Sequence, residues 1–375
     1  TADSQALSVD NVYLKAVNVE GTVAGTNANY EANGTAVAEL LTYNDFRVDF
    51  PRMVGNIRGT GTDFRWVGEL QAAAVKSGAM TIGNLYLKDA TAELRDQTVD
   101  LSAGRGRAQR FAVGDTVFDE LTARNLKFAN QNGVTTVTAP GASAQKLTVG
   151  NNSWSGMSGS NLKVKTGNGQ TDVNINGVTA QSSKLAGADV RDLKAGSLAL
   201  KDNSAGTNIT INDVAAQNVD SGSTHVSGVE SPQIDIAVAS GETKIYADQL
   251  RVAKILTSGA ELGSLNIGGV RLSIREGRVE GTSNDIDAGN IALLKTETLP
   301  NGGTLQSVKL VKPVFVVEDS GRYRATFDMS IGGGMVGSVP LGDVRASVDV
   351  NNDRVQLNNL NGEMMNGTVN GNATI

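Results

Sequence analysis

The sequence predicts an all-β protein: an elongated, mostly antiparallel sheet of long strands that repeats about every 36 residues and is creased lengthwise into a groove. Three observations carry that prediction. Apolar residues recur at one fixed interval, they alternate at period 2 within it, and the alternation slips at matching places.

The interval is 36 residues. Leu85, Leu121, Met157, Leu193, Val229 and Leu265 keep it, as do Leu126, Leu162, Leu198, Ile234 and Val270, and the positions two further on, Phe128, Val164, Leu200, Ile236 and Leu272. Leu101, Val137, Val173, Ile209 and Ile245 form another register, joined by an Ala-Gln pair ending at Gln109, Gln145, Gln181 and Gln217. A fixed period of this size signals a solenoid, propeller or array, in which each unit buries its apolar side against its neighbours. Function is then expected along a surface rather than at one point.

Within each unit Leu198 and Leu200 precede a polar tip, Asp202 to Gly206, and Ile209 and Ile211 follow it, which predicts two antiparallel strands joined by a tight turn. Ile175 is the counterpart of Ile211. Equivalent tips stand at Asn130-Gln131-Asn132-Gly133, at Thr166 to Gly169 and at Ser240-Gly241, with second turns near Gly150 to Asn152, Gly187 to Asp189 and Ser221 to Ser223. Two turns per unit leave strands of roughly 14 residues, where ordinary strands have about 5–6.

The alternation slips once per strand in this reading. Leu193 to Leu198, Met157 to Leu162, Val229 to Ile234 and Leu265 to Val270 are odd steps before the tips, and Ile211 to Val214 and Ile175 to Val178 are odd steps after them. An odd step moves a side chain to the other face unless a residue bulges out of the ladder. A bulge repeated in register would crease the sheet and turn the two halves of its apolar face toward each other, as in a taco-like trough.

Two flanking regions depart from the rhythm. Residues 1–84 form an N-terminal β segment in which Glu69 to Val75 reads as one short helix with Gly78 just past its end. Residues 85–280 carry the tandem units. Residues 281–375 form a C-terminal β segment, with a tight hairpin at Ile274 to Val279 leading into it, a loop at Thr298 to Gly303, and strands resuming at Val314, Tyr323, Val344 and Val355.

Composition agrees. The chain has 44 Gly, 6 Pro and only 4 % aromatic residues against 39 % hydrophobic, so its apolar supply is Val, Ile, Leu and Ala. A formal net charge of −6 with scattered cations disfavours nucleic acid, which needs clustered positive charge. Arg95, Arg105, Arg107 and Arg110 are the nearest approach to a basic patch and read as a solvated edge. Cysteine is absent, which removes disulfides and thiol chemistry. No stretch has the length and apolarity of a membrane-spanning helix. The two ends read as cuts inside a longer polypeptide, with any anchor outside it.

A search for catalytic chemistry comes back thin. His225, the single histidine, sits beside a turn and has no second histidine with which to share a metal. Gly332, Gly334 and Gly337 match a dinucleotide-binding glycine pattern, but no helix pattern follows them. The expectation is no enzyme, no cofactor and no metal.

The rhythm of apolar pair, polar tip, apolar pair and Ala-x-x-Leu, as in Ala144-Gln145-Lys146-Leu147, resembles the AsmA-like and TamB-like proteins of Gram-negative envelopes. The C-terminal run Val344 to Val350, Asn351 to Asp353, Val355 to Leu360 and Gly362 to Gly371 resembles the ending of AsmA-type domains, with Asn366-Gly367 where that family usually has Gly-Gly. The resemblance covers the chain from about residue 85 onward. It implies a periplasmic β-groove, anchored in the inner membrane by a segment outside this chain, that carries phospholipid acyl chains between the inner and outer membranes. The residues expected to line such a groove are Leu126, Phe128, Val137, Leu162, Val164, Val173, Ile175, Leu198, Leu200, Ile209, Ile211, Ile234, Ile236, Ile245, Val270 and Leu272. Two alternatives stay open: the halves of the sheet pack on each other as a dry core, or the chain is an extracellular β-solenoid adhesin or structural stalk.

Overall fold

The computed structural model describes residues 1–9, 12–26, 28–43, 46–61, 63–95, 98–131, 133–185, 187–297, 299–365 and 367–374. Of the expected turn residues, Asn132, Thr298 and Asn366 lie outside them. The described residues are all-β, with no helix among them. Two compact units divide the chain, one of residues 1–181 and 197–204 and one of residues 182–196 and 205–375.

The first unit holds β1 (Ala2–Val9), β2 (Val12–Thr26), β3 (Asn29–Val37), β4 (Leu40–Tyr43), β5 (Phe46–Asp49), β6 (Arg52–Thr60), β7 (Asp63–Ser77), β8 (Met80–Arg95), β9 (Thr98–Val113), β10 (Thr116–Gln131), β11 (Val134–Val149) and β12 (Asn152–Gly167). Strands β13 (Gln170–Leu185) and β14 (Ala188–Asn203) have residues in both units. The second unit holds β15 (Gly206–Ser221), β16 (Thr224–Ala239), β17 (Glu242–Leu256), β18 (Ala260–Arg275), β19 (Arg278–Thr282), β20 (Asp285–Leu293), β21 (Gly303–Glu318), β22 (Tyr323–Ile331), β23 (Gly333–Val336), β24 (Val339–Asn351), β25 (Val355–Met364) and β26 (Gly367–Thr374). The pairings described within each unit are antiparallel, as in β9–β10 and β16–β17.

The long strands are longer than the 14 residues expected. Strands β8 to β16 have 16 residues each, and from β8 to β18 the strands begin at residues 80, 98, 116, 134, 152, 170, 188, 206, 224, 242 and 260. The added length comes from the turns, which take only two residues and give the rest to the ladder.

The slips are real but double. In β11 the inward residues Val137, Ala139, Ala144, Leu147 and Val149 are buried and Ala142 is half-buried, so the steps run two, three, two, three, two. No residue of β11 is left-handed, but on several other strands, its neighbours β10 and β12 among them, the breaks carry left-handed residues. Asn84 and Asp89 in β8, Glu120 and Asn125 in β10, Gly156 and Asn161 in β12, and Ser264 and Gly269 in β18 all have φ in the left-handed region. Asn, Asp and Gly tolerate that region best, and they hold six of these eight places. Because neighbouring strands break together, the β9–β10 register is kept from Thr116↔Val113 to Asn130↔Val99 without a shift. The single slip expected from the sequence overlooks the short middle segment, whose inward residues, such as Ala123 and Ala144, are too small to stand out as apolar markers.

Proline marks the same places. Pro140 in β11, Pro232 in β16 and Pro313 in β21 sit at breaks, and Pro51 separates β5 from β6. A residue without an N–H is tolerated in a sheet only where the ladder is interrupted. Some strands part completely there: β2 pairs with both β3 and β4, β7 with both β5 and β6, and β18 with both β19 and β20. Bonds such as Asn284 N to Gly268 O at 2.8 Å carry the ladder across the gaps.

The expected helix at Glu69 to Val75 is strand. It lies in β7, laddered to β6 through Gly55↔Gly68, to β5 through Val48↔Val75 and to β8 through Val75↔Ile82. Ala and Leu favour a helix locally, but strands on both edges and the burial of Ala72 and Val75 outweigh that preference. Gly78 closes the β7–β8 turn with φ 55°.

Candidate functional site

The first unit encloses a cavity of about 310 Å³. Residues of β2 and β4 to β12 build its wall, which is almost wholly apolar. Five of the chain's eight phenylalanines line it, Phe46, Phe64, Phe111, Phe118 and Phe128, together with Tyr43 and Trp66. Phe46 meets Phe128 edge-on with centroids 5.4 Å apart, and Phe111 lies tilted against Phe118 at 5.9 Å. Such pairs hold rings in fixed positions. Buried Leu87, Ala90, Ala103 and Trp66 form the adjoining core. The two charged residues in the wall are already engaged: Arg107 with Glu120 at 2.8 Å, and Glu93 with Arg65 at 3.2 Å and Arg95 at 3.1 Å.

Of the residues expected to line a groove, Leu126, Phe128, Val137, Leu162 and Val164 border this cavity. Val173, Ile175, Leu198 and Leu200 are buried side chains outside its wall, each 5 % exposed or less. In the second unit Ile209, Ile211 and Ile236 are buried, while Ile234, Ile245, Val270 and Leu272 are half-buried. Ile209, Ile236, Ile245 and Leu272 line a second, more polar cavity of about 580 Å³ that also touches Asp235, Tyr246 and Arg271. There the Tyr246 hydroxyl donates to Asp248 at 3.2 Å, which raises its pKa above the ordinary tyrosine value, and the Arg271 guanidinium lies 5.3 Å from the ring centre. Within each unit the stripe residues are therefore close-packed in places and open in others.

A polar hollow of about 250 Å³ lies at the rim of the first unit. The turn residues Gly78 and Gly114 form one side of it, and Gly133, Asn168, Gly169 and Asp202, from turns at the other end of the strands, form the opposite side. Contact is close enough that a Cβ on Gly114, whose φ is +54°, would stand 2.5 Å from Asp202 Oδ2. The inward residues next to these turns are hydroxylic and buried: Ser77, Thr135, Thr166 and Thr171, with Thr166 and Thr171 bonded at 3.1 Å. The sequence reading missed this polar rim, although Ser77, Thr135, Thr166 and Thr171 stand at inward positions beside turns and are visible in the alternation.

The remaining candidates resolve simply. Arg95, Arg107 and Arg110 are exposed and ion-paired, so they do not form a bare basic patch. His225 is half-exposed beside its turn, bonded to Asp220, which Arg191 approaches at 3.8 Å. Glu242 at the base of the β17–β18 hairpin accepts bonds from Ser273 Oγ at 2.7 Å and Arg275 at 3.1 Å. The Ser273 bond, then Arg275, holds its pKa below the ordinary 4.5. The stability it contributes is present above the unfolded value and lost as pH falls through the lowered folded value. Glu242→Gln should accordingly lower stability at pH 7 and leave it little changed at pH 3, flattening the acid limb of the stability curve measured by urea unfolding between those values.

The chain matches no known protein-family model and no curated protein.

Proposed function

We propose that this chain is a non-enzymatic lipid-transport protein. It holds phospholipid acyl chains along an apolar β-groove and conducts them lengthwise between the inner and outer membranes of a Gram-negative envelope. In this reading it resides in the periplasm, tethered to the inner membrane by a segment outside this chain, and uses no cofactor or metal. The observation that carries the reading is the aromatic-rimmed cavity of about 310 Å³, whose wall offers hydrocarbon contact and almost no hydrogen-bonding group.

The repeat and the groove belong to the same proposal. Strand starts 18 residues apart over eleven successive strands support a 36-residue unit of two strands and two turns. Paired left-handed residues in register support a sheet bent along two lines, with the short segment between them as the floor of a trough. The pattern likeness to AsmA-like and TamB-like proteins is the remaining support. Lipid transfer past the close-packed residues Val173, Ile175, Leu198 and Leu200 requires the two walls to part.

Those packed residues favour a second reading, in which the interior is dry and the chain is an extracellular stalk or adhesin. Native mass spectrometry of the purified chain separates the two. Adducts with phospholipid masses, released on activation, support lipid handling; a bare chain from preparations made without detergent supports the stalk.

A further inference from the structure

The two rings that meet edge-on in the first unit stand far apart along the sheet. Phe46 is opposite Ser77, Ser77 opposite Met80, Met80 opposite Val113 and Val113 opposite Thr116, so the ladder carries the level of Phe46 to the start of β10. Phe128 lies twelve residues further along that strand, about 40 Å away if the strand ran straight. The ring centroids are nonetheless 5.4 Å apart. Opposite ends of the strands are therefore brought together over the cavity here, as they are again where Gly114 meets Asp202.

The line where Phe46 meets Phe128 differs in kind from the rest of the wall. Strand β5 ladders to β4 and β7, and β10 ladders to β9 and β11. Among the described residues no backbone hydrogen bond joins β5 to β10, so the edges meet there through side chains alone. Parting two laddered strands breaks a row of N–H···O bonds, whereas parting this seam gives up an aromatic contact. Both rings line the cavity and are only half-buried, which puts them at its mouth, and Leu41 and Val48 continue the apolar lining beside Phe46. Hydrocarbon passing between the rings stays in contact with hydrocarbon. Building on the lipid reading above, we infer that the seam between β5 and β10 is a side port through which an acyl chain enters the cavity, with Phe46 and Phe128 as its latch.

Stopped-flow mixing of the full chain with cis-parinaric acid, a fatty acid that is itself fluorescent, tests this. Phe46→Leu and Phe128→Leu remove the ring contact and keep the mouth apolar, so entry and release should both quicken about fivefold while affinity stays within about twofold. The chain has no cysteine, so Phe46→Cys with Phe128→Cys places its only two thiols across the seam. Joining them with a short, reducible bis-maleimide after the fatty acid is loaded should slow release at least about tenfold, and reduction should restore it. Release from the joined protein at the unaltered rate, or Leu variants whose entry rates do not change, would overturn the port and leave the lipid reading standing. No binding of the fatty acid by the unaltered chain would remove the lipid reading and the port with it.

Discussion

Val173→Asp should destabilise the protein by several kcal/mol, whereas Lys163→Glu should change stability by no more than about 0.5 kcal/mol. Val173 is 3 % exposed on the inward side of β13. Lys163 lies on the outward side of β12, exposed, one residue from buried Leu162 and Val164. The charge at 173 must either be desolvated or draw water into the interior, and each course costs far more than a surface substitution. Urea unfolding followed by circular dichroism reads both variants. Similar midpoints for the two would mean that inward and outward faces are misassigned along the whole stripe.

Filling the cavity should have the opposite profile, leaving stability nearly intact and removing binding. Ala123 is buried on the inward side of β10, in the wall between Leu121 and Leu126. Ala123→Phe adds a ring where about 310 Å³ stands open, so overpacking should cost about 1 kcal/mol or less rather than the 1–3 kcal/mol typical of a close-packed core. An acyl chain competes for that volume. Affinity for a fluorescent fatty acid should fall at least about tenfold, which is 1.4 kcal/mol. Full affinity with unchanged melting would place the ligand elsewhere on the chain.

The fold class was legible because its two periodicities are local. Leu198, Leu200, Ile209 and Ile211 alternate around a polar tip, and no knowledge of neighbours is needed to see a hairpin there. The double break was half legible: Asn125, Asn161 and Gly269 stand at one interval, but Glu120 and Ser264 occupy equivalent left-handed positions without any conformational signature. Glu69 to Val75 misleads for a different reason, since its helix preference is intrinsic and the strands that override it lie elsewhere in the chain.

The candidate site was less legible than the fold. Phe46, Phe64, Phe111, Phe118 and Phe128 come from β5, β7, β9 and β10; Phe46, Phe64 and Phe118 fall on multiples of the 18-residue strand spacing, but Phe111 and Phe128 do not, so the register of the strands is what gathers all five. Leu126 and Phe128 were visible because they also belong to the repeating stripe. The rim hollow was invisible in kind, because it joins turns from opposite ends of the strands, such as those of Gly114 and Asp202.

Photo-crosslinking tests the central claim most directly. A photoreactive residue at 126, 137 or 164, on the wall of the cavity, should capture lipid in the living cell, while the same residue at 163 or 165, exposed on the outward side of β12, should not. Lipid adducts at the wall and none at the controls are the expected result. Adducts at all five positions alike, or at none, would contradict it, and the apolar face would then be an ordinary dry core.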